Sequence, residues 1–377
     1  MTETRRATPD RPSARSLDSL SDQHARAQLD PHDMMGLVLK FPNQCREAIA
    51  VRWRFAAGRN ESEAQEIRNI VVTGLGGSAI GGDFVRCLAD EHGAAPLIVN
   101  RDYTLPHWVS ASTLVIVGSY SGNTEETRAA YAAAVASGAQ VAVVTSGGTL
   151  REKALIDGYP VAIVPGGQPP RSATGYMFFP MLNFLANRGL LAHDYTADMA
   201  ETLAKLTELS GRLGPEVPTA DNPAKQLALA LHGKLPVIYG SQGYRGAAAY
   251  RWKSQFNENA KEAAFANVLP EQNHNEILAW ELARRQAQTW SVVFLRDRGE
   301  AAESPRIARR VEVTKALLSG VADVHEIYAE GVSLLTRLFS LAYIADFVTV
   351  YVAYLNAICP TDIGAIDHLK TEMEKLS

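Results

Sequence analysis

Residues 118–127 decide the fold of this chain and read GSYSGNTEET. An apolar run, 114–117, precedes them, and an alanine-rich segment, 128–136, follows them. This order predicts a buried strand, a short turn rich in hydroxyl groups, and then a helix. Backbone N–H groups and hydroxyls of such a turn converge outside the strand end, where the helix N-terminus adds positive potential. This stretch, called the hydroxyl loop below, therefore predicts a binding site for a phosphate monoester.

Similar apolar runs recur along the chain and predict the rest of the fold. Their continuous apolarity is typical of parallel strands that helices bury on both faces. The predicted strands are 69–73, 96–99, 114–117, 141–144 and 161–164, followed by 235–241, 291–295 and 324–328. Helices are predicted from Met34 towards Phe55, with a kink or division at Pro42, and over 174–213.

A stretch rich in proline, 214–223, separates two runs of this pattern and is predicted to be a linker. We therefore expect an α/β chain with two doubly wound, flavodoxin-like parallel-sheet domains and flanking helices, at 30–213 and 224–377. Residues 1–29 are polar and contain Pro9 and Pro12, which predicts a disordered N-terminal extension.

Charge and cysteine content argue against several classes of protein. A net charge of −4 and a pI near 6.2, without clustered basic residues, disfavour a nucleic-acid partner. The three cysteines are too far apart for a disulfide framework, and no secretory leader is recognised. Both observations predict a cytoplasmic protein.

One apolar segment, 338–358, is long enough to span a membrane. Its single charge, Asp346, would then lie mid-span at a cost of about 2.5–3.5 kcal/mol. We expect a buried core helix or subunit-interface helix and no membrane partner, with membrane association as the alternative.

A glycine-rich stretch, 74–83, follows the first predicted strand and reads GLGGSAIGGD. It contains a GxGxxA pattern, so a nucleotide cofactor is one alternative. The acidic residue expected at the end of the second strand is missing, because Asn100 and Arg101 stand there. We favour Gly77 and Ser78 as residues that let the backbone approach a sugar phosphate closely. Tight turns without any ligand are the remaining alternative.

The hydroxyl loop also has an ordinary alternative, in which Asn123 or Thr124 is the N-cap of the following helix. A cap needs one hydroxyl, whereas the loop offers several. We therefore favour phosphate binding through Ser119, Ser121 and Thr124.

The two stretches together resemble the sugar isomerase (SIS) domain. Four further stretches are similar to those of the bifunctional phosphoglucose/phosphomannose isomerase family. They are PRSATGY (170–176), QFNENAK (255–261), LPEQNHNE (269–276) and IDHLK (366–370). The resemblance runs from about Asp30 to the C-terminus. It implies a double-SIS homodimer that interconverts glucose 6-phosphate or mannose 6-phosphate with fructose 6-phosphate, without a metal or other cofactor.

Aldose–ketose isomerisation moves a proton between C1 and C2 through a cis-enediolate. It needs a carboxylate base, a group that opens the sugar ring, and a cation beside the enediolate. The resemblance assigns the base to Glu258, and ring opening to His274 of the partner subunit. It assigns enediolate stabilisation to Arg171, and substrate binding or ring opening to Lys370.

Each assignment has an ordinary alternative: a solvated carboxylate for Glu258, a core histidine for His274, and a surface cation for Arg171 or Lys370. A metal site at His274 and Glu276 is disfavoured, because residues two apart do not share a helix face and no third His or Cys is near in sequence.

Two stretches depart from the family pattern, 262–264 (EAA) and 359–364 (CPTDIG). They leave open how Glu258 and Lys370 are placed. The preference between glucose and mannose phosphates is therefore open as well. Two other functions also remain. One is a non-catalytic sugar-phosphate sensor, and the other is a nucleotide-dependent oxidoreductase.

Overall fold

The computed structural model describes residues 17–55, 66–282, 286–299, 302–373 and 375. Within these residues the strands form two sheets. The first sheet contains β1 (Trp53–Arg54), β2 (Asn69–Thr73), β3 (Leu97–Asn100), β4 (Thr113–Gly118), β5 (Gln140–Thr145) and β6 (Val161–Ile163). Its strand order is β1-β6-β5-β4-β2-β3. All neighbouring pairs are parallel except for β1 with β6.

The second sheet is parallel throughout and has the order β10-β9-β7-β8. Its strands are β7 (Leu235–Ser241), β8 (Phe265–Leu269), β9 (Trp290–Arg296) and β10 (Asp323–Tyr328).

Helices connect and cover the strands. Those of the first half are α1 (Gln23–Leu29), α2 (Met34–Leu39), α3 (Phe41–Ile49), α4 (Gly76–His92), α5 (Glu125–Ala136), α6 (Gly148–Ile156), α7 (Thr174–Asn187) and α8 (Thr196–Leu213). Those of the second half are α9 (Pro223–Leu231), α10 (Tyr244–Gln255), α11 (Ala279–Leu282), α12 (Pro305–Leu318), α13 (Leu334–Leu355) and α14 (Gly364–Met373).

Both sheets are buried on two faces. In β4, Leu114 and Ile116 belong to one apolar cluster, whereas Val115 and Val117 belong to another on the opposite face. The alternation follows from the strand period of two. The strands β7 and β9 divide their side chains between two clusters in the same way. The prediction of an α/β fold with doubly wound parallel sheets is therefore confirmed.

The helix α13 joins the two halves. It packs against α8 and α2 of the first half and against α9 and α10 of the second. Its length and hydropathy would allow it to cross a membrane, but 94% of its most apolar window is buried inside the protein. Asp346, in the middle of the helix, accepts two hydrogen bonds from Arg251 Nη2, at 2.8 and 2.9 Å, and one from Gln255 Nε2 at 2.6 Å. The predicted buried helix is thus a core element, with its one carboxylate fully paired.

All eight predicted strands are present within one or two residues of their expected ends. The prediction of a helix from Met34 towards Phe55 is wrong in its second part. The helical segment divides at Lys40 and ends at Ile49, and Trp53 pairs with Ala162 as an edge strand. A tertiary contact stabilises this course, because Trp53 Nε1 donates a hydrogen bond to the carbonyl oxygen of Pro180 at 3.1 Å.

Two other expectations need correction. The predicted helical segment 174–213 is two helices, because the chain turns at Gly189, whose φ is +67°. In the predicted disordered extension, residues 17–29 form a short 3₁₀ turn and α1, anchored by the buried side chains of Leu17 and Leu20. Residues 1–16 lie outside the described part of the chain. The domain boundaries at 213 and 224 stay a prediction.

Candidate active site

The hydroxyl loop lies between the end of β4 and the start of α5, and its own hydroxyls order it. Ser119 Oγ accepts a hydrogen bond from the Gly122 amide at 3.1 Å and donates one to Thr124 Oγ1 at 3.1 Å. Ser121 Oγ accepts from the Asn123 amide at 3.3 Å. Thr124 is the N-cap residue of α5, yet its side chain makes no capping hydrogen bond. The alternative of an ordinary cap therefore does not explain these hydroxyls.

The hydroxyl loop is joined directly to the glycine-rich stretch. Tyr120 donates its amide hydrogen to Ser78 Oγ at 3.1 Å, and Ser78 lies in the first turn of α4. The N-terminus of α4 and that of α5 are thereby brought to the same edge of the first sheet. Two helix N-termini with clustered hydroxyls form a site with the properties that a phosphate needs.

Gly77 connects this edge to the segment that carries Arg171. A Cβ atom on Gly77 would lie 2.4 Å from the carbonyl oxygen of Pro170 and 3.0 Å from the amide nitrogen of Arg171. Only a residue without a side chain permits this approach. The short 3₁₀ turn Pro170–Ser172 therefore packs against the start of α4.

The Arg171 side chain is held on all sides. It is 2% exposed, and its Nε donates a hydrogen bond to Asn259 Oδ1 at 2.7 Å. Its Nη2 donates to the carbonyl oxygens of Pro360 and Thr361 at 2.6 and 3.1 Å. Burial lowers the pKa of Arg171, and the charge of Glu258 opposes that change. The alternative of a surface arginine is wrong, because this guanidinium is a fixed, buried cation.

Glu258 faces Arg171 from the other half of the chain. Glu258 Oε2 lies 3.6 Å from Arg171 Nη1, and the carboxylate side chain is 28% exposed. No hydrogen bond to this carboxylate is found within the described residues. Burial raises the pKa of Glu258, and the charges of Arg171, Arg251 and Lys261 oppose part of that rise. A carboxylate with a raised pKa, near a cation and partly open to solvent, suits proton transfer.

A single π-helical turn, Phe256–Ala260, presents Glu258 after α10, and Lys261 ends it with a φ of +53°. Lys261 Nζ donates hydrogen bonds to the carbonyl oxygens of Glu258 at 2.8 Å and of Pro360 at 2.9 Å. This lysine therefore ties the turn of Glu258 to the same segment that binds Arg171. Arg251 contacts the same segment, since its Nη2 donates a hydrogen bond to the carbonyl oxygen of Arg171 at 3.3 Å.

His274 and Lys370 lie apart from this pair within the single chain. His274 ends the 3₁₀ turn Glu271–His274 after β8 and is exposed. Lys370 is on α14, 65% exposed, with Nζ 3.7 Å from Asp367 Oδ1. Within the described residues, neither side chain makes a hydrogen bond or an ion pair with Arg171 or Glu258.

The alternative of His274 as a buried core histidine is wrong, since the side chain is exposed. The asparagines beside it do not orient it either. Asn273 donates to Gln272 and Thr314, and Asn275 donates to Glu271. The disfavoured metal pair with Glu276 has no support, because the Glu276 carboxylate accepts hydrogen bonds from Tyr239 Oη and Asn267 Nδ2.

Sequence reasoning missed three parts of this site: Asn259, Lys261 and the carbonyl groups of residues 360 and 361. Asn259 and Lys261 lie in the QFNENAK stretch, from which a role was predicted for Glu258 only. The same motif could therefore have indicated both residues. The carbonyl groups carry no sequence signal.

The two parallel sheets, with a hydroxyl loop at the carboxyl end of β4, define a SIS-type sugar isomerase fold. In agreement, the solved structure of a glucose-6-phosphate isomerase-like protein from Thermus thermophilus superimposes with a TM-score of 0.59. The two chains are 20% identical, and the match covers 93% of this chain and 99% of that chain. Residues 220–373 match the model of the bacterial phospho-glucose isomerase C-terminal SIS domain.

Two curated relatives identify the family more narrowly. The bifunctional phosphoglucose/phosphomannose isomerase of Caldicellulosiruptor bescii is 42% identical over 91% of this chain and 99% of its own length. The protein of the same name from Thermoplasma acidophilum is 36% identical over 80% of this chain and 88% of its own length. The chain belongs to the bifunctional phosphoglucose/phosphomannose isomerase family.

Proposed function

We propose that this protein interconverts glucose 6-phosphate and mannose 6-phosphate with fructose 6-phosphate through a cis-enediolate. The observation that carries the proposal is the Arg171–Glu258 pair, with 3.6 Å between Nη1 and Oε2. A carboxylate of raised pKa beside a fixed cation supports Glu258 as the base. The turn that carries Arg171 also packs against α4, which the hydroxyl loop contacts. Membership of the isomerase family supports the same reaction.

The phosphate group binds to the hydroxyl loop and the α4 N-terminus, through Gly77, Ser78, Ser119, Ser121 and Thr124. In this arrangement the phosphate anchors one end of the open-chain sugar, and C1 and C2 extend towards Glu258. No covalent bond to the protein is required, so positioning and electrostatics provide the catalysis.

Glu258 removes the proton from C2 of the aldose, and the electron pair moves to form the C1–C2 double bond of the enediolate. The C1 carbonyl oxygen takes up the displaced electron pair, and the O2 hydroxyl proton passes to O1. The protonated Glu258 then returns the carbon-bound proton to C1, and the C2–O2 bond becomes the carbonyl of the ketose. Arg171 stabilises the negative charge that develops on the enediolate oxygen. Glucose and mannose phosphates differ only in configuration at C2, so both pass through the same enediolate and use the same base.

We further propose a cytoplasmic homodimer in which each subunit completes the other's site. The single chain leaves Ile366, Leu369 and Met373 exposed on α14, at the spacing of one helix face. A ten-residue helix with no buried residue has little stability of its own, and a second subunit would bury this face. The same contact would bring Lys370, and His274 of the partner subunit, to the substrate, where His274 opens the sugar ring.

A coupled assay on chelator-treated protein tests the proposed reaction. Purified protein should convert glucose 6-phosphate and mannose 6-phosphate to fructose 6-phosphate in the absence of nicotinamide cofactor and added metal. The ratio of the two rates gives the substrate preference. Binding of fructose 6-phosphate by folded protein without any turnover would instead identify a sugar-phosphate sensor. Reduction of added NAD or NADP by the purified protein would identify an oxidoreductase.

A further inference from the structure

Three metal-ligating side chains meet outside the site described above. The ligand atoms of His32, Cys359 and Asp362 all lie within 4.8 Å of one another. His32 lies in the turn before α2, whereas Cys359 and Asp362 lie in the loop between α13 and α14. Residues from two distant parts of the sequence are thus brought to one place at the end of α13.

Hydrogen bonds hold the backbone on both sides of this cluster. The Asp30 carboxylate accepts hydrogen bonds from the amides of Met34 and Met35, each at 2.8 Å, and from Tyr354 Oη at 2.8 Å. It therefore holds the turn of His32 against the last turn of α13. On the other side, Lys261 Nζ donates to the carbonyl oxygen of Cys359 at 3.1 Å.

A thiolate, an imidazole and a carboxylate form a ligand set that suits Zn²⁺ and similar thiophilic cations. Bond lengths of about 2.0–2.3 Å put the ligand atoms of a tetrahedral zinc site about 3.3–3.8 Å apart. The cluster therefore needs to contract by about 1 Å, and its side chains are exposed or half-buried. Three protein ligands leave the fourth position to a water molecule. Binding would release the thiol proton of Cys359 to solvent.

A cation bound at this cluster would affect the proposed active site through two carbonyl groups. Cys359 and Asp362 flank Pro360 and Thr361, whose carbonyl oxygens accept both hydrogen bonds from Arg171 Nη2. A cation that draws the two flanking side chains towards His32 would turn these carbonyl groups and displace the guanidinium. It would also neutralise the negative charge of the cluster beside Arg171 and Lys261, because the cation is bound by a thiolate and a carboxylate.

We propose that His32, Cys359 and Asp362 form a zinc site, and that the bound cation inhibits the isomerase by displacing Arg171. The binding half of this proposal stands on the cluster alone, whereas the inhibition half rests on the proposed function. The site is regulatory, since none of its ligands is assigned to proton transfer or to phosphate binding.

Binding is tested first, without any activity measurement. Titration of the full-length chelator-treated protein with Co²⁺ should produce the charge-transfer absorption of a thiolate–cobalt bond, and Zn²⁺ should displace it. Cys45 and Cys87 are buried, so they do not compete. Cys359→Ser should abolish the absorption. His32→Ala should weaken affinity by more than the roughly 10–100-fold that loss of an outer-shell partner costs. The matched control His24→Ala, on the exposed face of α1, should bind as the wild type does.

Inhibition is tested next, with the coupled assay. Zn²⁺ should abolish most of the turnover of the wild-type protein, and a chelator should restore it. Cys359→Ser and His32→Ala should keep their basal activity and resist zinc. Absence of the thiolate–cobalt absorption, or its persistence in Cys359→Ser, would overturn the zinc site. Full activity of the zinc-loaded protein would overturn inhibition, whereas a protein inactive even after chelation would refute the proposed function and leave the binding result intact.

Discussion

Arg171 Nη1 lies 3.6 Å from Glu258 Oε2, although the two residues come from different halves of the chain. Asn259 and Lys261 follow Glu258 in sequence, and they bind Arg171 and the Pro360 carbonyl group respectively. The cation and the carboxylate are therefore positioned by one connected set of hydrogen bonds.

Replacement of the base should remove most of the activity. Glu258→Gln keeps the size of the side chain but cannot accept the proton, so kcat should fall by about 10²–10⁴-fold. Affinity for fructose 6-phosphate, measured by calorimetry, should change little. Glu152→Gln, an exposed glutamate on α6, serves as the control and should behave as the wild type does. Wild-type kcat in Glu258→Gln would show that another group moves the proton.

The pH dependence should report the charge of Arg171. The base works when ionised, and burial raises the pKa of Glu258, so kcat/KM should fall on acidification at a higher pH than an ordinary glutamate would give. The charge of Arg171 opposes that rise of the Glu258 pKa. Arg171→Gln should therefore move the acidic limb of the pH profile of kcat/KM to still higher pH. Arg171→Lys keeps the charge and should leave the limb in place while lowering kcat, because the guanidinium fork is lost. An unchanged limb in Arg171→Gln would contradict the electrostatic coupling.

Two glycine-to-alanine substitutions should have opposite effects on stability. Gly77→Ala places a Cβ 2.4 Å from the Pro170 carbonyl oxygen, so it should cost about 1–3 kcal/mol and lower kcat by moving Arg171. Gly211→Ala, in α8, meets no atom within 4 Å and should stabilise by about 0.5–1 kcal/mol without changing activity. Urea unfolding and the coupled assay measure both effects. Equal stabilities of the two variants would refute the close approach at Gly77.

The buried ion pair of α13 should be costly to break. Asp346→Ala leaves Arg251 buried without its carboxylate and should lower the free energy of unfolding by about 3–5 kcal/mol. The double variant Arg251→Met, Asp346→Leu removes both charges and should recover most of that loss. Denaturant unfolding of the two variants provides the comparison. A loss in Asp346→Ala within experimental error of zero would mean that Arg251 finds another partner.

A shared site in a homodimer should allow two inactive variants to complement each other. When Glu258→Gln and His274→Ala are co-expressed, each heterodimer holds one intact site, so about a quarter of the wild-type activity should return. Co-expression of Glu258→Gln with Arg171→Gln is the control and should return none, because both changes affect groups of the same chain. Failure of the first pair to regain activity would contradict the donation of His274 by a partner.

Local signals in the sequence were enough to predict most of the strands. The runs that became β2, β4 and β7 are continuously apolar because they are buried on both faces. β8 was missed, since Phe265–Leu269 is an edge strand whose first side chain is exposed and whose composition, FANVL, is weakly apolar. β1 was missed because its two residues form a strand only through pairing with β6.

The site was predictable in its parts but not in its assembly. The hydroxyl loop has a local signal, because its hydroxyls, its turn and its helix start are consecutive in sequence. The meeting of Arg171 with Glu258 depends on how the two halves pack, and the binding of Arg171 by carbonyl groups depends on backbone alone. Neither kind of contact leaves a pattern in a single sequence.

The helix α13 binds groups of both halves of the chain. Its Tyr343 Oη donates to the carbonyl oxygen of Val38, and its Tyr351 Oη to that of Leu213, while Asp346 holds Arg251 of the second half. Loosening either half exposes part of the same helix, so we expect both halves to unfold together. The contacts that position Arg171 and Glu258, which come from different halves, would then be lost only together with the packing of α13.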